Sequence, residues 1–176
     1  MDTMIAWLAD YLLFAMAALA LLVWAVGIDR QARTRTAVAA VLGAAFAVLL
    51  LTIAAGLHTD PRPFVQNPSL HPLIKHSADN GFPSDHCIAA GLLTSLLAFR
   101  HRRTGVVLAA AAVLLAAARV AAHVHHLQDV VAGLALGALA GWLATVVVDQ
   151  VAGRWAERAI GRFPADRSAA DRSSVG

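Results

Sequence analysis

Residues 106–148 read VVLAAAAVLLAAARVAAHVHHLQDVVAGLALGALAGWLATVVV. Two apolar runs, Val106 to Ala122 and Val130 to Val148, meet across a short polar junction, and each approaches the ~20 residues that carry a helix across a bilayer core. The junction holds Arg119, His125 and Asp129, which sets a cation, an imidazole and a carboxylate at a membrane surface. Ionisable groups so close to hydrocarbon are costly and mark function by default. An imidazole can attack phosphorus or pass a proton, a carboxylate can fix its tautomer, and a guanidinium can grip a phosphate through two parallel hydrogen bonds.

Outward from that hairpin the chain keeps the same character. Of its 176 residues, 59% are hydrophobic and 14% charged, with a mean hydropathy of +0.66, too apolar for a soluble domain of this length. Further apolar runs at Ile5 to Ile28, Thr36 to Leu57 and Cys87 to Phe99 predict an all-α, polytopic membrane bundle of about five spans. The run from Cys87 makes only ~20 Å of helix, short of the ~30 Å hydrocarbon core, so its outer end is expected to be recessed beside a pocket near Ser84 to His86. Asp2 is the one charge before the first run, and that run exceeds a signal-peptide core, so it is expected to be retained as a helix. Residues 1–150 then form one transmembrane domain. Residues 151–176 are read as a cytoplasmic amphipathic segment, with Trp155, Ala159 and Phe163 against Arg154, Arg158 and Arg162, followed by a disordered polar tail.

The cations sort by loop. Arg30, Arg33 and Arg35, then Arg100, Arg102 and Arg103, then Arg154, Arg158 and Arg162 all fall on one side of a five-span bundle, and the positive-inside rule assigns that side to the cytoplasm. The N-terminus is therefore expected outside and the C-terminus inside. Of the 8 histidines, all but His101 fall in or beside the two outer regions. A sequence pI near 10.0 is accounted for by this distribution, and no nucleic-acid partner is expected. The single cysteine, Cys87, excludes an intrachain disulfide or a thiolate metal cluster and is read as a small buried residue.

Three groups therefore share the outer side. Asp60-Pro61-Arg62-Pro63-Phe64 follows the second run, Pro83-Ser84-Asp85-His86 opens the third, and Arg119 to Asp129 joins the last two. Ser84 or Asp85 is a candidate N-cap whose helix terminus, with Arg62 and Arg119, would make a phosphate cradle.

These residues resemble the type-2 phosphatidic acid phosphatase superfamily, whose pattern is Lys, six residues, Arg-Pro; then Pro-Ser-Gly-His; then Ser-Arg, five residues, His, three residues, Asp. The chain keeps Arg62-Pro63, then Pro83, Ser84 and His86, then Arg119, His125 and Asp129. It departs at Ala55, where the lysine belongs, at Asp85 for the glycine, and at Ala118 for the serine. The segment from DPRPF through DNGFPSDH looks like the bacitracin-resistance type of undecaprenyl-diphosphate phosphatase, a branch in which Pro-Ser-Asp-His occurs. The resemblance implies that His125 attacks phosphorus to form a phosphohistidine, that Asp129 orients its imidazole, and that His86 protonates the leaving oxygen and then activates water. Arg62, Ser84 and Arg119 would hold the phosphate oxygens, with Lys75 as a candidate replacement for the family lysine.

The resulting expectation is a lipid phosphatase without metal or cofactor, acting on undecaprenyl diphosphate at the outer face of a bacterial inner membrane. Its expected partners are an isoprenoid or other lipid phosphate and the surrounding lipids. Phosphatidylglycerophosphate and phosphatidic acid are the alternative substrates. A competing reading takes His123, His125, His126, Asp129 and His86 as ligands of a divalent metal, which Arg62 and Arg119 would oppose; another takes the chain as an inactive lipid-binding protein of the same fold.

Overall fold

The computed structural model describes residues 1–161, with side chains through Trp155. The readings of Arg158, Ala159, Arg162 and Phe163 and of the tail after them lie outside the described residues or side chains.

Helix α1 spans Asp2–Leu22 and continues through a π-helical turn at Val23–Gly27. Asp29 then caps α2 (Arg30–Leu57), its side chain accepting from the Ala32 backbone N–H at 2.9 Å. The four-residue α3 (Pro63–Gln66) begins with proline at its first position, where a missing N–H costs nothing. Helices α4 (Asp85–Ala98), α5 (Arg102–Ala121) and α6 (Leu127–Gly161) complete the chain. Among the described residues the fold is helical apart from an isolated antiparallel bridge between Pro61 and Asn80.

Among the described residues four helices are long and apolar enough to cross a membrane: α1 with its π turn, α2, α5, and α6 through Trp155. The fifth apolar run forms the 14-residue α4, ~21 Å long at 1.5 Å per residue, so it does not match the other four as a full span. Hydropathy located each run but cut the ends: α2 starts six residues before Thr36, because its cap and its first arginines are helical without being apolar.

The short helix sits at the centre. Helix α4 packs most extensively on α6 and α5 and also meets α1 and α2, while α6 packs on α2 and α1 on α5. Its close fit to α6 needs small residues, since a Cβ at Gly133 would come within 2.6 Å of the Ser84 carbonyl oxygen, and one at Gly137 would meet the backbone of Ile88. This contact brings the start of α4 and the start of α6 together, and a backbone bond from Ser84 N–H to the Asp129 carbonyl at 3.1 Å joins them. The segments 58–84 and 122–126 therefore occupy one end of the bundle, and the turns at 28–29 and 99–101 the other.

Candidate active site

At the first end, Arg62, Ser84, Arg119, His125 and Asp129 are all buried, each at most 4% exposed. Arg119 comes from the last turn of α5, Asp129 from the first turn of α6, Arg62 from the residue capping α3, and Ser84 from the N-cap of α4. Between α5 and α6 the chain reverses through His123, whose φ of 60° is a left-handed conformation unusual for a residue with a Cβ. That reversal turns His125 inward.

His125 has an assignable tautomer. Its Nδ1 lies 3.0 Å from the Gly81 carbonyl oxygen and 3.4 Å from Asp129 Oδ2, both acceptors, so Nδ1 carries the proton. Its Nε2 accepts from Arg62 Nη1 and from Arg119 Nη2, each at 3.3 Å. The Nε2 lone pair thus faces two guanidiniums. Burial holds His125 below the ordinary histidine value, and Arg119 and Arg62 add to that effect, against an opposing pull from the Asp129 hydrogen bond. The uncharged, nucleophilic form is the favoured one.

Each arginine is fixed by further acceptors. Arg62 donates from Nε to Asp79 Oδ1 at 2.8 Å and from Nη1 to the Val124 carbonyl at 2.8 Å. Arg119 donates from Nη1 to the Ala9 carbonyl of α1 at 3.3 Å and from Nη2 to His76 Nε2 at 3.0 Å. Among the described residues, four buried atoms in this cluster have no hydrogen-bond partner: His76 Nδ1, Ser84 Oγ, Arg119 Nε and Asp129 Oδ1. Ser84 occupies the N-cap position, yet its hydroxyl makes no capping bond.

His86 is partly exposed and its Nδ1 lies 3.0 Å from Asp85 Oδ1, which also accepts the His86 backbone N–H at 2.8 Å. The carboxylate that stands where the family has glycine is thus turned onto the neighbouring histidine. Lys75 is exposed and has no hydrogen bond or ion pair among the described residues, so it is not among the residues brought together here. Its neighbour His76 is.

A second polar network braces the first. Asp60 accepts from Gln66 Nε2 at 3.0 Å, Gln128 Nε2 at 2.6 Å and His126 Nδ1 at 2.8 Å. Its carbonyl accepts the Gly81 N–H at 2.8 Å, and so it holds the residue whose own carbonyl receives His125. A Cβ at Gly81 would stand 3.1 Å from that Asp60 oxygen and 3.2 Å from Asp129 Oδ2, which explains a glycine at this close approach. Asn80 bonds both sides of the loop, accepting from the Asp60 N–H at 2.9 Å and donating to the His58 carbonyl at 3.2 Å. No role could be assigned to His76, Asn80 or Gly81 from the sequence alone. The DPRPF and DNG stretches carry the signal, though not the pairing between them.

The histidines do not converge as a metal set. His86 meets Asp85, His123 the His71 carbonyl, His125 the Gly81 carbonyl and His126 Asp60. Among the described residues, ligand-type atoms of Asp60, His126 and Asp129 do lie within 4.8 Å of one another, but the Asp60 carboxylate already receives three side-chain donors.

The comparisons with known proteins agree with one another. Undecaprenyl-diphosphatase BcrC of Bacillus subtilis (strain 168) is 31% identical over 145 residues, 81% of this chain and 72% of that protein. The bacitracin transport permease protein BcrC of Bacillus licheniformis is 31% identical over 140 residues, 79% of this chain and 68% of that one. The crystal structure of Aquifex aeolicus LpxE shares the fold, with a TM-score of 0.59 and 22% identity, covering 81% of this chain and 82% of that one. The PAP2 superfamily model matches residues 36–152, a span that holds every buried catalytic-type side chain described above, and the chain belongs to that superfamily.

Proposed function

We propose that this membrane hydrolase converts undecaprenyl diphosphate to undecaprenyl monophosphate and inorganic phosphate through a phosphohistidine on His125. The observation that carries the reading is the buried His125 Nε2, unprotonated and flanked by Arg62 and Arg119. In the first step Nε2 attacks the terminal phosphorus while the bond to the bridging oxygen breaks, and His86 supplies the proton for that oxygen. Asp129 and the Gly81 carbonyl hold the Nδ1 proton and stabilise the charge on the ring. In the second step His86 takes a proton from water, which attacks phosphorus and breaks the P–N bond. Arg62, Arg119 and Ser84 Oγ counter charge on the phosphoryl oxygens throughout, which is most of what a phosphoryl-transfer site has to do.

The choice of substrate is supported by the likeness to the Bacillus subtilis diphosphatase. Phosphate release by the purified protein from undecaprenyl diphosphate, phosphatidylglycerophosphate and phosphatidic acid, each with and without EDTA, tests it. Turnover is expected to be fastest on the first and unchanged by the chelator. Faster turnover of either glycerolipid would reassign the substrate, and loss of activity in EDTA would sink the phosphohistidine route.

The catalytic end is read as facing outward, a reading that the arginine distribution supports. A cysteine at Asn67 in a Cys87→Ala background is expected to react with an impermeant thiol reagent on intact spheroplasts, and one at Gln31 is not. The reverse pattern would put the site in the cytoplasm.

A further inference from the structure

We propose that His76 is a ligand of the transferred phosphoryl group, donating from Nδ1 to a phosphate oxygen beside Arg62 and Arg119. This rests on the phosphatase reading and adds to it a residue from the outer loop. The loop is pinned over the end of α5, where the Leu73 N–H donates to the Ala122 carbonyl at 3.1 Å and Ile74 is buried against Ala118, Ala122 and Val124. Beyond Ile74 the chain carries no helix or strand, and the burial of its side chains changes from one residue to the next. Lys75 points out and His76 points in.

His76 Nε2 accepts from Arg119 Nη2 at 3.0 Å, and its ring stands edge-on to His125 with centroids 6.0 Å apart. An accepting Nε2 leaves the proton of a neutral ring on Nδ1. Burial, followed by Arg62, Arg119 and His125, lowers His76 below the ordinary histidine value and so favours that neutral form. Nδ1 is itself buried and without a partner. Stranded buried N–H groups are rare in folded proteins, and one set beside two guanidiniums and a nucleophile is a donor for the anion they serve.

Orthovanadate inhibition of the full-length enzyme in detergent provides the test. In His76→Asn the amide nitrogen lies near the place of Nδ1, and in His76→Gln near that of Nε2. The wild type and His76→Asn should share one inhibition constant within about threefold, while His76→Gln and His76→Ala should raise it roughly ten- to a hundredfold, the range for one hydrogen bond to a charged group. If His76→Gln binds vanadate like the wild type while His76→Asn does not, the contact with Arg119 is what matters and the proposal fails. It fails equally if all three variants match the wild type or if His76→Asn is as weak as His76→Ala. A wild-type enzyme indifferent to vanadate would overturn the phosphatase reading underneath.

Discussion

The two ends of the bundle use arginine in opposite ways. Arg62 and Arg119 are 4% and 1% exposed, whereas Arg30, Arg102, Arg103 and Arg154 at the far end are open to their surroundings. Burying a cation costs several kcal/mol unless acceptors compensate it. At the far end that cost is never incurred, and these arginines need no partner. At the end that holds the candidate site, two guanidiniums are enclosed with one directly paired carboxylate, Asp79, and otherwise with carbonyls and imidazoles. Neutral acceptors satisfy N–H geometry without cancelling charge. The enclosed end therefore keeps a positive potential aimed at His125, which suits an anion and has no counterpart at the other end.

The sharpest way to break this comparison is to remove the proposed nucleophile. His125→Ala is expected to lower phosphate release by roughly ten-thousandfold or more, as loss of a covalent catalyst does. His123→Ala and His126→Ala should retain most activity, since their rings meet the His71 carbonyl and Asp60 and not the guanidiniums. A dead neighbour beside an active His125 variant would mean the site has been misassigned.

Next come the arginines themselves. Arg62→Gln and Arg119→Gln should each cost roughly a hundred- to a thousandfold in kcat, the scale for losing one donor at a developing negative charge, while Arg102→Gln and Arg103→Gln should leave kinetics unchanged. The pH profile sharpens the contrast. Because burial and the two arginines lower His125, its neutral form persists below the ordinary value, and the acid limb of kcat/KM should have its midpoint under about 6.5. Removing either cation raises the His125 value, so that limb should move to higher pH in Arg62→Gln and Arg119→Gln. A limb that stays put would show that the guanidiniums do not govern the imidazole.

Much of this end was legible in the sequence. Arg62, Ser84, Arg119, His125 and Asp129 meet because three spacings, each short and each tied to a helix terminus, fix where those side chains emerge. Helical periodicity carries such information well. What stayed hidden lies in the irregular segment between α3 and α4. Whether Lys75 or His76 turns inward depends on how Ile74 anchors an irregular stretch, which has no periodicity to read. The Gly81 carbonyl that receives His125 has no side-chain signature at all. Asp60 was visible within DPRPF, but its partners Gln66, Gln128 and His126 come from two other helices and the α5–α6 turn, which pattern alone does not bring together.

Asp60 offers the next smaller effect, on stability. Asp60→Asn keeps the shape but sets an amide N–H₂ against donors from Gln66, Gln128 and His126, at an expected cost of about 1–3 kcal/mol in thermal unfolding followed by tryptophan fluorescence. Burial alone would raise the Asp60 carboxyl, yet the Gln128 and His126 contacts hold it below the usual carboxylate range. A lowered folded value means this stability is present above the unfolded value near 3.9 and fades as pH falls through the folded one. The gap between wild type and Asp60→Asn should therefore close in acid. A constant gap at all pH values would assign the loss to packing instead of charge.

The smallest effect belongs to the far end. There Arg100 Nη2 donates to Asp149 Oδ1 at 2.6 Å and ties the turn after α4 to α6, with side chains 15% and 38% exposed. By distance alone this contact is shorter than any made by Arg62 or Arg119, and distance is a poor guide to its worth. Partly solvated pairs lose in side-chain entropy and screening most of what they gain in attraction, leaving about 0–1 kcal/mol. A double-mutant cycle of Arg100→Gln and Asp149→Asn should return a coupling in that range, weakening with salt, and turnover should be unchanged in all three variants. A coupling as large as the Asp60 effect, insensitive to salt, would show that charge at both ends is structural, and the distinction between an enclosed end holding the candidate site and an open far end would no longer hold.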